Sequence, residues 1–168
     1  MSIDFKKLFD AHSGKQHEMF ARHVNPQLVR VLRTIGYDRN YVRAEGALLF
    51  DHEGNDYLDL LSGYGVFALG RSHPKIKAAL HEALELSYPN MVQMDAPLAA
   101  GLLAERLLSY MPKGVDTVFF TNSGTEANEG AIKFARKSTG RSRIVFLDHA
   151  FHGLSTGSLA VNGGGEFR

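Results

Sequence analysis

The clearest candidate for chemistry in this chain is the segment from Thr121 to Asn128, which reads TNSGTEAN. It follows the apolar run VFF and opens a helical pattern over residues 126–137. A turn that passes directly into a helix leaves the first backbone N–H groups unpaired, and the helix dipole adds partial positive charge there. Such a terminus can bind a phosphate group. The same residues also fit an ordinary capping box, with Ser123 as N-cap and Glu126 three residues later.

The residues on either side of this loop predict a βαβ unit. Strands are expected at 117–120 and 143–147, and the helix at 126–137 joins them. A right-handed crossover of this kind makes the two strands parallel within an α/β sheet. Ligands of such sheets bind outside the carboxyl ends of the strands, so the loops at 121–125 and 148–153 are expected to face one cavity.

The upstream half of the chain predicts short helices and a β-hairpin. Turn chemistry at 51–55 separates two period-two segments. Proline at a first helical position indicates where two further helices begin. The elements expected are an amphipathic helix and arm within 3–20, a helical or irregular piece over 26–34, strands at 47–50 and 57–60, and helices starting at Pro74 and Pro97. His73 is expected to cap the helix at Pro74. The predicted division is an N-terminal arm, helix and hairpin segment at 1–70, followed by part of a larger α/β domain at 71–168.

Composition excludes several classes of function. The chain has 168 residues, and its 19 basic and 18 acidic residues are well mixed, which does not favour nucleic-acid binding. The absence of cysteine excludes disulfides, thiolate metal sites and cysteine nucleophiles. The eight histidines form no HExxH pattern, and His149 with His152 alone does not predict a metal site. No apolar run is long enough for a membrane span, and the first residues resemble neither a signal nor a transit peptide, so a cytoplasmic protein is expected.

Three segments carry a resemblance to a known family. They are FFTNSGTEANEGAIKFAR, LDLLSGYGVFALGRSHPKIKAAL at residues 58–80, and AFHG at 150–153. Together they resemble the class III pyridoxal-phosphate-dependent aminotransferases, the family of acetylornithine and ornithine aminotransferases. The likeness runs in register from about Val42 to the last residue. One departure is Leu154-Ser155, where the family usually has Arg-Thr.

The resemblance implies the N-terminal part of a fold type I transferase with a mainly parallel sheet, and pyridoxal 5'-phosphate as the cofactor. It implies that the Ser-Gly-Thr loop holds the cofactor phosphate through backbone and hydroxyl groups, and that the aromatic residue of AFHG stacks on the pyridine ring. Taken alone, that phenylalanine fits core packing and the histidine after it fits a structural role. The cofactor-binding residues implied are Ser123, Gly124, Thr125, Phe151 and His152.

The Gly-rich segment at 62–66 has two interpretations. By its own pattern it is a tight connection between the hairpin and the next helix, since it lacks the spacing of a dinucleotide fingerprint. By resemblance it lines the substrate side of the active site, which makes Tyr64 a candidate substrate contact. In the helix after the Ser-Gly-Thr loop, Glu126 is expected to cap the helix or lie near the site, and Asn128 to lie on the helix surface or at an interface.

The chain departs from the family in its catalytic residues. The family's Schiff-base lysine and the aspartate that pairs with the pyridine nitrogen lie downstream of the Phe-His-Gly motif, and none of the eight lysines here falls in the lysine motif. No catalytic residue is therefore assigned. Either a fragment of a longer gene product or a natural truncation is consistent with this, and the fragment is the interpretation adopted.

Two classes of function follow from the resemblance. The first is amino-group transfer from an amine or amino acid donor to a keto acid or aldehyde, with a homodimer expected for the full-length enzyme. The alternative is a catalytically inactive truncated homologue that acts as a binding or interaction protein. A third possibility is an unrelated α/β enzyme with a generic phosphate loop, which the Gly-rich and Phe-His-Gly matches disfavour.

Overall fold

The computed structural model describes residues 3–89 and 92–165. The chain divides into two compact units, Met1–Pro89 and Asn90–Arg168, and each is described by itself. The domain boundary predicted at residue 70 stays a prediction.

Three of the four helices described in the first unit begin at local signals in the sequence, the exception being the helix Gln16–His23. The Asp4 carboxylate accepts the N–H of Lys7 at 3.0 Å, and Asn25 accepts the N–H of Leu28 at 3.0 Å ahead of a proline at the first helical position. The buried Val29 lies on the third helix, which packs against the second. The helices are α1 (Phe5–His12), α2 (Gln16–His23), α3 (Pro26–Thr34) and α4 (Pro74–Glu85).

A three-stranded antiparallel sheet follows α3. Its strands are β1 (Tyr41–Glu45), β2 (Leu48–Asp51) and β3 (Asp56–Leu58), in the order β1-β2-β3. Leu49 lies opposite Ala44 on one side and opposite Tyr57 on the other. The predicted hairpin is confirmed, with its strands shifted by one or two residues.

The turn between β2 and β3 is organised by one buried carboxylate, which with its donors we call the Asp51 cluster. Asp51 accepts the N–H groups of Glu53 at 3.0 Å and Asn55 at 2.9 Å. It also accepts the Asn55 side-chain amide at 3.0 Å and the Tyr57 hydroxyl at 2.8 Å. These hydrogen bonds, led by that of the Asn55 side chain, lower the pKa of Asp51 from 3.8 to about 2 despite burial.

A backbone pair holds the connection between the hairpin and α4. Gly46 and Arg71 exchange two hydrogen bonds, at 2.9 and 2.8 Å. The Arg71 guanidinium also donates to Asp59 at 2.7 Å. His73 occupies the N-cap position of α4 as predicted, although its side chain makes no capping hydrogen bond. Its ring Nδ1 is buried, and no partner for it lies among the described residues.

The second unit is helical in its described part. It contains α5 (Leu98–Leu108), α6 (Gly124–Thr139) and α7 (Thr156–Ala160). Ser123 is the N-cap of α6, and Gly140 ends this helix in the left-handed conformation, with φ 67°. The predicted helix at 126–137 is therefore confirmed, and it is longer by two residues at each end.

The two strands predicted in the second unit are not formed. Neither residues 117–120 nor residues 143–147 adopt a strand. A strand exists only where a neighbouring strand supplies hydrogen bonds, and the part of this unit that the structure describes offers neither segment such a neighbour. Val145 is 97% exposed, and Phe119 packs edge to face against Phe134 of α6 with ring centroids 5.3 Å apart.

Few apolar side chains are buried. Within 3–89 and 92–165, Val29 is the one hydrophobic residue that counts as fully buried, at 2% exposure. The other fully buried side chains of note are polar, namely Asp51, Ser158 and Asn162. Across the same residues, none of the helices is both long enough and apolar enough for a transmembrane segment.

Candidate functional site

The N-terminus of α6 has the predicted capping arrangement with one change. Ser123 Oγ accepts the N–H of Glu126 at 3.2 Å. The Glu126 carboxylate accepts the N–H of Asn122 at 2.7 Å, one residue before the position expected of a capping box. Within the described residues, the N–H groups of Gly124 and Thr125 have no acceptor. Two amides therefore remain at this end of the helix for an external acceptor.

The space beside Gly124 is open. A Cβ atom built on Gly124 would meet no atom within 4 Å, so an anion can approach the backbone there. The Ser123 hydroxyl accepts one bond and keeps its own proton for donation. The Thr125 hydroxyl is already engaged, because it lies 3.0 Å from Ser155 Oγ and 2.6 Å from Ser158 Oγ. Thr125 therefore offers its amide rather than its hydroxyl.

The loop that contains Phe151 and His152 lies against the same end of α6. Asn128 Nδ2 donates to the carbonyl oxygen of His152 at 2.7 Å. The expected neighbourhood of this loop and the loop at 121–125 is therefore present. Its cause differs from the one predicted, because side-chain hydrogen bonds from α6 bring the two segments together rather than adjacent paired strands.

A second asparagine holds the same loop from the other side. Asn162 is 1% exposed, and its Oδ1 accepts the N–H of His152 at 2.6 Å. Its Nδ2 donates to the carbonyl oxygen of Gly153 at 3.0 Å. Both backbone groups of His152 are thus hydrogen-bonded by buried or half-buried amides, which fixes the path of the loop.

A carboxylate on α6 holds the segment after this loop, and with its donors we call it the Glu129 cluster. Glu129 Oε1 accepts the Ser155 hydroxyl at 2.6 Å, the N–H of Gly157 at 2.7 Å and the N–H of Ser158 at 3.1 Å. The Ser155 hydrogen bond, then those of the two amides, lowers the pKa of Glu129, against a smaller opposing effect of burial. The carboxylate is therefore charged at neutral pH.

Two glycines allow the segment at 153–158 to lie close to α6. Gly153 has φ 120°, and a Cβ atom there would overlap the Thr125 side chain and lie 2.9 Å from Ser158 Oγ. A Cβ atom on Gly157 would overlap the Glu129 carboxylate, 2.8 Å from its Cδ. Side chains at either position would push the segment away from α6.

Three residues that organise the site were not identified from the sequence. Asn128 was expected on the helix surface or at an interface, whereas it is half-buried under His152. Glu129 and Asn162 had been given no role. A signal for the first two was present, since Thr125, Asn128 and Glu129 are spaced i, i+3, i+4 and so form one polar face of the helix.

The remaining candidates lie in different surroundings. Phe151 is 63% exposed beside the start of α6, and His152 is half-buried. Tyr64 belongs to the first unit, where it is 90% exposed and has φ 58°. Among the residues that the structure describes, no group of three His, Cys, Asp or Glu side chains is placed to hold a metal ion.

Sequence comparisons identify related proteins. The family model "Aminotransferase class-III" matches residues 33–166. The chain is 37% identical to aminotransferase PigE of Serratia sp., over 87% of this chain and 17% of that protein. It is 42% identical to acetylornithine aminotransferase of Methanopyrus kandleri, over 76% of this chain and 32% of that protein. It is 41% identical to diaminobutyrate–2-oxoglutarate aminotransferase of Haemophilus influenzae, over 73% of this chain and 27% of that protein. The chain thus spans about a sixth to a third of these relatives.

Solved structures agree with the sequence comparisons. The taurine:2-oxoglutarate aminotransferase of Bifidobacterium kashiwanohense, solved with PLP and glutamate, matches with a TM-score of 0.69 and 31% identity, over 74% of this chain and 28% of that one. A transaminase of the marine bacterium Virgibacillus matches with a TM-score of 0.76 and 25% identity, over 90% and 36%. The predicted fold class, the N-terminal part of a fold type I transferase, is confirmed. The chain belongs to the class III aminotransferase family.

Proposed function

We propose that this chain provides the phosphate and ring contacts for pyridoxal 5'-phosphate in an enzyme that transfers an amino group from an amine or amino acid to a keto acid or aldehyde. Family membership supports the reaction class. The observation that carries the proposal is the 2.7 Å hydrogen bond from Asn128 to the His152 carbonyl, because it holds the Phe151 loop beside the free amides of α6.

Each residue has a separate task in this proposal. The amides of Gly124 and Thr125 and the Ser123 hydroxyl donate hydrogen bonds to the phosphate group, and the helix dipole favours its negative charge. Phe151 covers one face of the pyridine ring and fixes its orientation. When bound, pyridoxal phosphate supplies the electron sink that amino-group transfer requires. His152 lies next to the ring wall, where its backbone is held on both sides.

The substrates and the assembly are further parts of the proposal. The relatives are named for different amino donors, so an amine or amino acid is proposed without a choice among them, and a keto acid or aldehyde as acceptor. Tyr64 is proposed as a substrate contact, since its side chain is extended into solvent. A homodimer of the full-length enzyme and a cytoplasmic location complete the proposal. Light scattering and cell fractionation of the gene product that contains this chain test these two points.

Cofactor binding is tested by titrating the purified chain with pyridoxamine 5'-phosphate and with pyridoxamine in a calorimeter. The amine form is used because it has no aldehyde that would react with surface lysines. We expect saturable binding of the phosphorylated compound, competition by inorganic phosphate, and binding of pyridoxamine at least tenfold weaker, since charge-assisted hydrogen bonds to phosphate are lost. Equal affinities for the two compounds, or no binding, would contradict the proposed cofactor site.

The reaction is tested separately on the gene product that contains this chain. Transfer of an amino group to 2-oxoglutarate or pyruvate from a panel of amines and amino acids is the expected result. If the phosphorylated cofactor binds but no donor is turned over, the alternative, a non-catalytic binding protein of the same family, replaces the enzyme proposal.

A further inference from the structure

Glu129 lies on α6 and is not one of the proposed cofactor contacts. Its Oε1 atom collects three donors from one short segment, the Ser155 hydroxyl and the amides of Gly157 and Ser158, at 2.6 to 3.1 Å. Three donors that converge on one carboxylate oxygen match a negative charge better than a neutral acceptor. The lowered pKa of Glu129 agrees with this geometry.

The segment that Glu129 holds begins at Ser155, two residues after Gly153. The loop itself is held at His152 by Asn128 and Asn162. Gly153 and Gly157 have no side chains, so the backbone from 153 to 158 lies directly on Thr125 and Glu129. The position of the loop relative to the start of α6 therefore depends on contacts at both of its ends.

We infer that Glu129 is a positioning residue for the cofactor ring. Its carboxylate holds residues 155–158 on α6 and so helps to keep the preceding loop, which contains Phe151, in place against the start of this helix. The effect on the cofactor depends on the proposed function, whereas the effect on the segment is a property of the chain alone.

The test compares Glu129→Ala and Glu129→Gln with Glu105→Ala. Glu105 is an exposed glutamate on α5 of the same unit with no side-chain hydrogen bond among the described contacts, which makes it a matched control. The first measurement is hydrogen exchange at the amides of Gly157 and Ser158. We expect Glu129→Ala to lower their protection about tenfold, the effect of losing one charged hydrogen bond. Glu129→Gln should restore part of it, and the control should leave it unchanged.

The second measurement separates positioning from general destabilisation. Dissociation constants are measured for pyridoxamine 5'-phosphate and for inorganic phosphate. A displaced ring wall weakens the first about tenfold and leaves the second within about twofold, because phosphate needs only the helix terminus. In a Phe151→Ala background the Glu129→Ala change should add little, since the ring wall is already absent.

Several results would overturn the inference. Unchanged protection of Gly157 and Ser158 in Glu129→Ala would show that the carboxylate does not hold the segment. Equal losses of affinity for both ligands would show a merely structural role. If the wild-type chain binds neither ligand, the proposed function fails, and the exchange data alone decide whether Glu129 holds the segment.

Discussion

The Asp51 cluster and the Glu129 cluster are built alike but differ in the sequence separation between the carboxylate and its donors. In both, one carboxylate accepts two backbone amides and at least one hydroxyl, and in both these hydrogen bonds lower its pKa. The donors of Asp51 lie two to six residues away along the chain. Those of Glu129 lie 26 to 29 residues away. The first cluster shapes a turn, whereas the second brings two distant segments together.

The difference in range has an energetic consequence. Closing a longer loop costs more conformational entropy, although the cost grows slowly with length. Loss of the Asp51 contacts therefore releases one turn of the hairpin. Loss of the Glu129 contacts releases residues 155–158, the segment that follows the loop with the proposed ring wall.

The largest expected effect comes from Gly153→Ala, which disrupts only the second cluster. The added Cβ overlaps Thr125, and alanine is strained at φ 120°. We expect the second unit to lose about 3 kcal/mol of stability. Gly101→Ala is the matched control, because its Cβ meets nothing within 4 Å in the interior of α5 and should stabilise by about 0.5–1 kcal/mol. Hydrogen exchange at the amides of the second unit measures the change in stability for both variants. A Gly153→Ala chain as stable as wild type would exclude the close approach of this loop to α6.

Asp51→Asn should come next, with an effect confined to the first unit. The folded chain favours the charged carboxylate, so its contribution is complete above the ordinary pKa of 3.8 and is lost as the pH falls towards about 2. The wild-type hairpin should therefore loosen across this window, and the variant should be weaker at neutral pH with much less change on acidification. Exchange or NMR shifts of β2 and β3 followed from pH 6 to 2 provide the measurement. A hairpin equally stable at both ends of the range would contradict this account of the Asp51 cluster.

Asn128→Ala should have a moderate effect that falls on the second unit. It removes the donor to the His152 carbonyl, and one neutral hydrogen bond contributes about 1 kcal/mol. Affinity for pyridoxamine 5'-phosphate should fall by about fivefold for the same reason. Calorimetry measures the affinity, and Asn122→Ala, whose side chain makes no hydrogen bond among the described contacts, is the control. An unchanged affinity would show that the Asn128 hydrogen bond does not affect cofactor binding through the Phe151 loop.

The smallest effect is expected for Lys6→Ala on α1. The Lys6–Asp10 pair, at 3.1 Å, is largely exposed to solvent, and such pairs contribute little because water and salt screen them. We expect a change in stability below about 0.5 kcal/mol, seen by thermal unfolding, so this exposed ion pair should matter less than either carboxylate cluster. A loss of stability as large as that of Asp51→Asn would contradict the expectation that an exposed ion pair contributes less than a carboxylate cluster.

Local chemistry is what the sequence predicts well in this molecule. Ser123 as N-cap, Pro74 at a first helical position, Gly140 after α6 and the turn at 51–55 all depend on residues within a few positions of each other. The type and spacing of such residues act in the same way wherever they occur, so the hairpin and the helices from α3 to α6 were predicted close to their observed bounds. The one helix and arm expected within 3–20 is instead two helices, and α7 was not predicted.

Contacts between distant residues were predicted less well. The strands expected at 117–120 and 143–147 depend on pairing partners that their own residues do not specify. Glu129 and Asn162 show no local pattern that marks them, because their partners are set by how α6 meets the later segment. The proximity of the Phe151 loop to the Ser-Gly-Thr loop was predicted, although through a different cause.

The backbone pair between Gly46 and Arg71 makes the first unit suitable for a spectroscopic reporter. Both ends of the intervening stretch are fixed, so a dye at its exposed Tyr64 would sense events nearby without loosening the hairpin. Because the chain contains no cysteine, Tyr64→Cys would give a single labelling position. Fluorescence from that position would then report changes in the surroundings of residue 64, in a protein that has no tryptophan.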